Sequence, residues 1–155
     1  RVINANGDLS RFESYGLPVI PDSLPDWPGP LAGILSCLDW LAQSHCECDL
    51  LLSCATDAPF ISSDLAFRLL QARTAENATL AQARSSGRRH PVFGLWPVSI
   101  RQDLRTALIE DGLRKIDDFT DRFSLAIADF TGHPDPFSNV NQPDDIAEAE
   151  AYFDS

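Results

Sequence analysis

Lysine is almost absent from this chain. Among 155 residues, 12 are Lys or Arg against 23 Asp or Glu, a formal net charge of −11, and Lys115 is the only lysine. A pI of 4.4 argues against the broad basic face that nucleic-acid binding needs. It also means that a polyanionic substrate must be met by a local basic cluster or by a metal ion. Membrane-spanning runs are missing, as is any signal-peptide pattern, so a cytoplasmic protein that does not engage a membrane is expected. Cys37, Cys46, Cys48 and Cys54 follow neither a disulfide framework nor a zinc spacing and read as reduced thiols. Repeats, linkers and low-complexity segments are lacking too, and the length suits one domain, residues 1–155, able to fold without staples. Methionine is absent altogether. The sequence opens at Arg1 straight into the apolar Val2-Ile3, from which the later part of a larger domain is expected.

What is present alternates short apolar runs with helical segments. The run from Cys48 to Cys54, ending in Ala55-Thr56-Asp57-Ala58-Pro59, reads as a strand buried on both faces, as in a parallel sheet covered by helices. Arg1 to Asn6, Leu17 to Asp22, Thr79 to Ala83, Val92 to Trp96, Phe123 to Phe130 and Phe137 to Asn141 are further strand candidates. Pro30 sits where a helix tolerates proline best, and Leu31, Ile34, Leu35, Leu38 and Leu41 follow at helical spacing. Ser62-Ser63-Asp64 offers caps for a helix through Arg73, Pro97 to Ile109 reads as another, and Pro143 opens a last one with Asp144 and Asp145 in its first turn. This alternation predicts an α/β layered fold with a mostly parallel sheet.

Ligands of such sheets bind beyond the carboxyl ends of the strands. Asn4, Asn6, Asp22, Asp57, Asn139 and Asn141 all follow apolar runs. Each taken alone reads as a turn residue or helix cap. As a set they also suit oxygen ligation of Mg²⁺, which keeps several waters and binds substrate phosphates.

Other constellations carry less. His45-Cys46-Glu47-Cys48 is too tightly spaced for a zinc loop and reads as a polar turn between helix and strand. Arg84, Arg88, Arg89 and His90 form the densest positive patch, either a solvated hairpin tip or a contact for an anionic substrate. Trp27, Trp40 and Trp96 are read as packing residues, with Trp27 also near enough to Gly29 to line a pocket.

A gapped series of motifs now falls into order: Asn4-Ala5-Asn6, Val19-Ile20-Pro21-Asp22-Ser23-Leu24, Trp27-Pro28-Gly29-Pro30-Leu31-Ala32-Gly33, Cys54-Ala55-Thr56-Asp57-Ala58-Pro59, Arg89-His90-Pro91 and Phe137-Ser138-Asn139-Val140-Asn141-Gln142-Pro143. It runs through essentially the whole chain and resembles the molybdenum cofactor guanylyltransferases, the MobA family. The resemblance implies a Rossmann-like three-layer nucleotidyltransferase fold with its N-terminal part missing. It implies GMP transfer from GTP to the phosphate of molybdopterin, with Mg²⁺ as cofactor and pyrophosphate released. By the same resemblance Asp57 is the catalytic, Mg²⁺-binding aspartate, close also to the GTP phosphates. Asn4, Asp22 and Gly29 fall on the nucleotide side, and Asn139, Asn141 and, by a looser match, Arg114 on the pterin side. An accessory GTP-binding protein and downstream molybdoenzymes are implied partners.

The family's glycine-rich loop with its Arg and Lys does not occur in these residues, so the triphosphate lacks much of its electrostatic cradle. The 155-residue chain is therefore expected to be inactive or nearly so. The reaction implied is an in-line displacement at the α-phosphorus, in which an already anionic phosphate oxygen attacks and positioning and charge neutralisation do the work. Two other readings of the same residues are a cytidylyl- or sugar-phosphate nucleotidyltransferase and a non-catalytic module that binds the pterin or a partner.

Overall fold

The computed structural model describes residues 1–24, 29–44 and 47–153. Their elements run β1 (Ile3–Asn4), β2 (Val19–Ile20), α1 (Pro30–Gln43), β3 (Leu50–Ser53), α2 (Leu65–Ala75), β4 (Leu80–Ser85), β5 (Arg88–Pro97), α3 (Arg101–Ile109), α4 (Ile116–Thr120), β6 (Leu125–Phe130) and α5 (Pro143–Phe153). Two short 3-10 helices, Leu9–Tyr15 and Val98–Ile100, complete them. The fold is α/β, and the chain divides into two compact units, 1–51 with 96–124 and 52–95 with 125–155.

In the first unit β1 and β2 pair in parallel, Ile3 with Val19 and Asn4 with Ile20. The apolar stripe of α1 is buried as its spacing requires: Leu31, Ile34, Leu35, Leu38 and Leu41 are all core residues. Pro30 stands in its first turn, where the missing N–H costs nothing. Helix α1 packs on α3, and Asp39 of α1 pairs with Arg101 at 3.6 Å and with Arg105 of α3.

The second unit is built on a four-stranded sheet ordered β3-β5-β4-β6. Strands β4 and β6 are parallel and β4 and β5 antiparallel, so the sheet is mixed, with α2 packed on β4 and β6. Buried Leu80, Ala81, Ala83, Ala126, Ala128 and Phe130 form its core. The β4–β5 hairpin turns on Ser86 and Gly87 alone, with φ of 48° and 76°, the two consecutive positive values of a type I′ turn. Ser85 accordingly pairs with Arg88 and Arg84 with Arg89. The polar stretch from Arg84 to Arg89 is thus mostly strand. Farther along, Ala83 pairs with His90 but Gln82 with Gly94, so Pro91, Val92 and Phe93 bow out of the ladder. Pro91 has no N–H to give it.

Several expected elements are shorter or different. Strand β3 stops at Ser53, and Asp57 lies four residues on, in a turn. All four β3 residues are only half-buried, because β3 is the end strand of the sheet and lacks a neighbour on one side. Residues 137–141 form no strand. Phe137 is instead buried against Phe93, Phe130 and His90, with ring centroids 4.6, 5.3 and 4.7 Å away. Cys48 is disulfide-bonded while Cys37 and Cys54 are free, which corrects the expectation of four reduced thiols. Burial, with the charge of Asp22 adding to it, pushes the Cys37 thiol up to about 11, so it is no nucleophile.

Candidate active site

The first unit gathers Asn4, Asn6 and Asp22 into one network beyond the ends of β1 and β2. Asn4 Nδ2 donates to the Ile20 carbonyl and to Asp22 Oδ1, both at 2.9 Å. Asn6 Nδ2 donates to Asp22 Oδ2 at 2.8 Å, and Asp22 N–H returns a bond of 2.8 Å to Asn6 Oδ1. Parallel pairing is what makes this possible, since it carries both strands to the same end. Helix α1 passes so close that a Cβ on Gly33 would lie 2.0 Å from Asn4 Oδ1. Glycine is therefore required there for close approach rather than for its backbone angles. Gly29, with φ of 131°, is the N-cap of α1 in a conformation that disfavours a side chain. Trp27 and Pro28 lie outside the described residues, as do His45 and Cys46 of the tight metal-like cluster. Arg114 is exposed in the first unit, just before α4.

The second unit brings Asp57, Asn139 and Asn141 together through the backbone. Val140 N–H donates to the Asp57 carbonyl at 2.7 Å, pinning the Asn-Val-Asn segment to the loop after β3. The Asn141 and Gln142 N–H groups both donate to Asp145 Oδ2 at 2.9 Å, which anchors the same segment to the first turn of α5. These two bonds hold the Asp145 carboxyl below its ordinary range. The Asp57 carboxylate and the amides of Asn139 and Asn141, by contrast, have no hydrogen-bond or ion-pair partner among the described residues. No group of three or more His, Cys, Asp or Glu side chains converges on a common point among the described residues. One carboxylate with amide oxygens nearby is a donor set that fits Mg²⁺, a hard cation that retains water and takes oxygen ligands from substrate.

Beside these asparagines the second unit opens a cavity of about 700 Å³, lined among others by Arg88, Arg89, His90, Phe93, Asn139 and Asn141. Arg84 does not join it, because Asp129 holds its guanidinium with bonds of 2.5 and 2.7 Å. The buried Ser85 hydroxyl donates to Asp135 Oδ1 at 2.8 Å and lies 2.8 Å from His90 Nε2. Ser86 Oγ reaches Asp135 Oδ2 at 3.1 Å, and Phe137 N–H reaches Oδ1 at 2.9 Å. Burial, the largest single influence, pushes Asp135 upward, but the Phe137 N–H, the two serine hydroxyls and His90 together hold it below its ordinary value. Sequence reasoning singled out Arg89 and His90 but missed Ser85 and Asp135. Forty-five residues separate His90 from Asp135, and only the parallel pairing of β4 with β6 brings the strand ends together.

Each unit thus carries Asp and Asn side chains at or beyond its strand ends, and the fold is that of a solved nucleotide-cofactor biosynthesis protein. The chain superposes with a TM-score of 0.74 on the crystal structure of molybdopterin-guanine dinucleotide biosynthesis protein A from Archaeoglobus fulgidus, covering 99% of this chain and 78% of that one at 21% identity. In sequence it is 50% identical to a molybdenum cofactor guanylyltransferase of Rhodopseudomonas palustris strain BisB5, over 96% of this chain and 71% of the relative. It is also 50% identical to one of Nitrobacter hamburgensis, over 96% and 72%. Residues 1–123 match the MobA-like NTP transferase domain, and the chain belongs to that family of nucleotidyltransferases. No helix among the described residues is long and apolar enough to cross a membrane.

Proposed function

We propose that this chain transfers GMP from GTP to the terminal phosphate of molybdopterin, forming the guanine dinucleotide and pyrophosphate in the cytoplasm. The observation that carries the reading is the Val140–Asp57 backbone bond of 2.7 Å. It holds an uncommitted carboxylate and two uncommitted amides in one segment of the fold, next to a cavity with basic side chains. The 50% identity to a guanylyltransferase over 149 aligned residues supports the guanylyl branch over a cytidylyl one.

In this reading Asp57 and its neighbours hold Mg²⁺, whose chemistry is to neutralise charge on phosphate oxygens and on the departing pyrophosphate. Asn4, Asp22 and Gly29 serve the nucleotide. Asp22, with both oxygens already accepting from asparagine amides, acts by holding the Asn4 side chain in position. Asn139, Asn141 and Arg114 serve the pterin. No side chain has to become a nucleophile, because the attacking oxygen belongs to a substrate phosphate; positioning and charge neutralisation supply the rate. Residues 1–155 contain no glycine-rich loop for the triphosphate, so turnover by these residues alone is expected to be very low. An accessory GTP-binding protein and molybdoenzymes are the partners this function would bring.

The test is calorimetric titration of the protein carrying a glycine-rich loop upstream, with GTP, CTP and ATP in the presence of Mg²⁺. A preference for GTP that Asp57→Ala removes supports both the base choice and the metal assignment. A preference for CTP transfers the chain to the cytidylyl branch, and no binding of any nucleotide leaves a non-catalytic module.

A further inference from the structure

The Ser85–Asp135–His90 chain is not used by the phosphoryl transfer described above, and its hydrogen bonds fix more than a shape. A serine hydroxyl has a single proton. With that proton directed to Asp135 Oδ1 at 2.8 Å, Ser85 Oγ can only accept from His90 across their 2.8 Å separation. Nε2 therefore carries hydrogen, and the lone pair of the neutral ring resides on Nδ1. No hydrogen bond to Nδ1 exists among the described residues. The ring is wedged 4.7 Å from the Phe137 centroid and 6.3 Å from that of Phe93. It lines the cavity together with Arg88 and Arg89.

We propose that His90 accepts a proton from a phosphate monoester bound in this cavity beside Arg88 and Arg89, with Ser85 and Asp135 as positioning residues that hold its tautomer. The proposal rests on the reading of the chain as a transferase whose nucleophile is a phosphate. A phosphate monoester loses its second proton near pH ~6, so part of it arrives as a monoanion with one P–O–H. Nδ1 takes that proton; an O–H bond breaks, an N–H bond forms, and no other bond changes. A dianion, the better nucleophile, is left against an imidazolium. The new charge is met through Nε2–H to Ser85 and Ser85 O–H to the Asp135 carboxylate.

The groups facing the ring suit this cycle. Burial and Arg88 from β5 disfavour the imidazolium, Asp135 from the loop after β6 favours it, and the balance keeps His90 below its ordinary pKa. The empty ring is thereby neutral and ready to accept. A bound anion would tip the balance the other way.

The experiment is ¹⁵N NMR of histidine-labelled protein, with the His90 signals assigned by their loss in His90→Gln and phenyl phosphate as the probe. The expected result is an Nε2–H neutral ring whose pKa rises by about one on saturation with phenyl phosphate. That rise should shrink in Asp135→Asn and Ser85→Ala and return in Ser85→Thr. An Nδ1–H tautomer, or a pKa that phenyl phosphate leaves unmoved, overturns the proposal, and both are read on the unsubstituted protein should a variant fail to fold. The titration needs neither GTP nor turnover. GMP transfer by a protein whose His90 ignores the probe would sink this inference alone. A responsive His90 in a protein that binds no nucleotide would sink the transfer reading instead.

Discussion

Both units gather asparagine and aspartate at the ends of apolar segments, yet they use them in opposite ways. In the first unit Asn4, Asn6 and Asp22 satisfy one another, so that both carboxylate oxygens and both amide nitrogens are engaged. In the second, Asp57, Asn139 and Asn141 are held by backbone bonds, and their side chains have no partner among the described residues. The first pattern fixes the side chains at the ends of β1 and β2 against one another, although Asn4 and Asn6 are exposed and Asp22 is only half-buried, so that each bond is worth only its modest net margin over water. The second is tolerable because Asp57 is only half-buried and both asparagines are exposed, so water serves them until a ligand does. Residue type alone does not distinguish a scaffold from a site; the distinction lies in which hydrogen-bonding capacity is already spent.

The contrast can be broken at its sharpest point first. In protein carrying a glycine-rich loop upstream, Asp57→Ala is expected to lower transfer activity more than about a hundredfold, the scale of losing one well-placed electrostatic contact to a transition state, while thermal unfolding stays where it was. A stable variant with near-normal rate would remove Asp57 from the candidate site. The opposite profile is expected in the first unit. Gly33→Ala drives a methyl group to within 2.0 Å of Asn4 Oδ1, and Asn4 cannot yield without releasing Ile20 and Asp22. A loss of about 1–3 kcal/mol in urea unfolding follows, as for overpacking elsewhere. Asp22→Ala removes the acceptor of two amides and should cost about 1 kcal/mol, the net worth of such bonds; an unchanged midpoint would show the network to be incidental.

Acid should act on the second unit in two stages. His90 has its folded pKa below the ordinary 6.5, so the unfolded chain takes up that proton first and stability declines as pH falls through that value. Asp135 has its pKa below 3.8, so the stability it contributes is present above that value and is lost as pH falls through the lower folded pKa. Urea midpoints measured down this range should show the upper stage vanish in His90→Gln. The smallest effect is expected at the exposed Arg84–Asp129 pair, where Arg84→Ala should leave the midpoint unmoved, since water screens such pairs.

Much of the architecture was legible in residue order. The stripe of α1 from Leu31 to Leu41, the proline-led starts of α1 and α5, and the strands around Leu51, Ala81, Phe93 and Ile127 all lie where periodicity and helix-start signals put them. Apolar spacing and proline's missing N–H act locally, so a linear reading finds them. The five-residue α4 and the 3-10 helix Leu9–Tyr15 escaped it, being too short to set up a period. The end of β3 escaped it as well: an apolar run has no intrinsic stopping point, and a strand ends where its neighbour's hydrogen bonds end.

The same division holds for the site. Sequence by itself determined the chemical inventory: an acidic chain with one lysine, Asp57 two residues ahead of Pro59, the Asn-Val-Asn segment, and the Arg-His pair ahead of Pro91. Only the tertiary structure decided which of these are spent and which are free. It closed Asp22 into a network, tied Arg84 to Asp129, and joined Val140 to Asp57. It also set Asp135 and Ser85 behind His90 through a pairing of β4 with β6 that no local pattern encodes. Hydrogen bonds between residues dozens of positions apart depend on strand register, and register is a property of the folded chain.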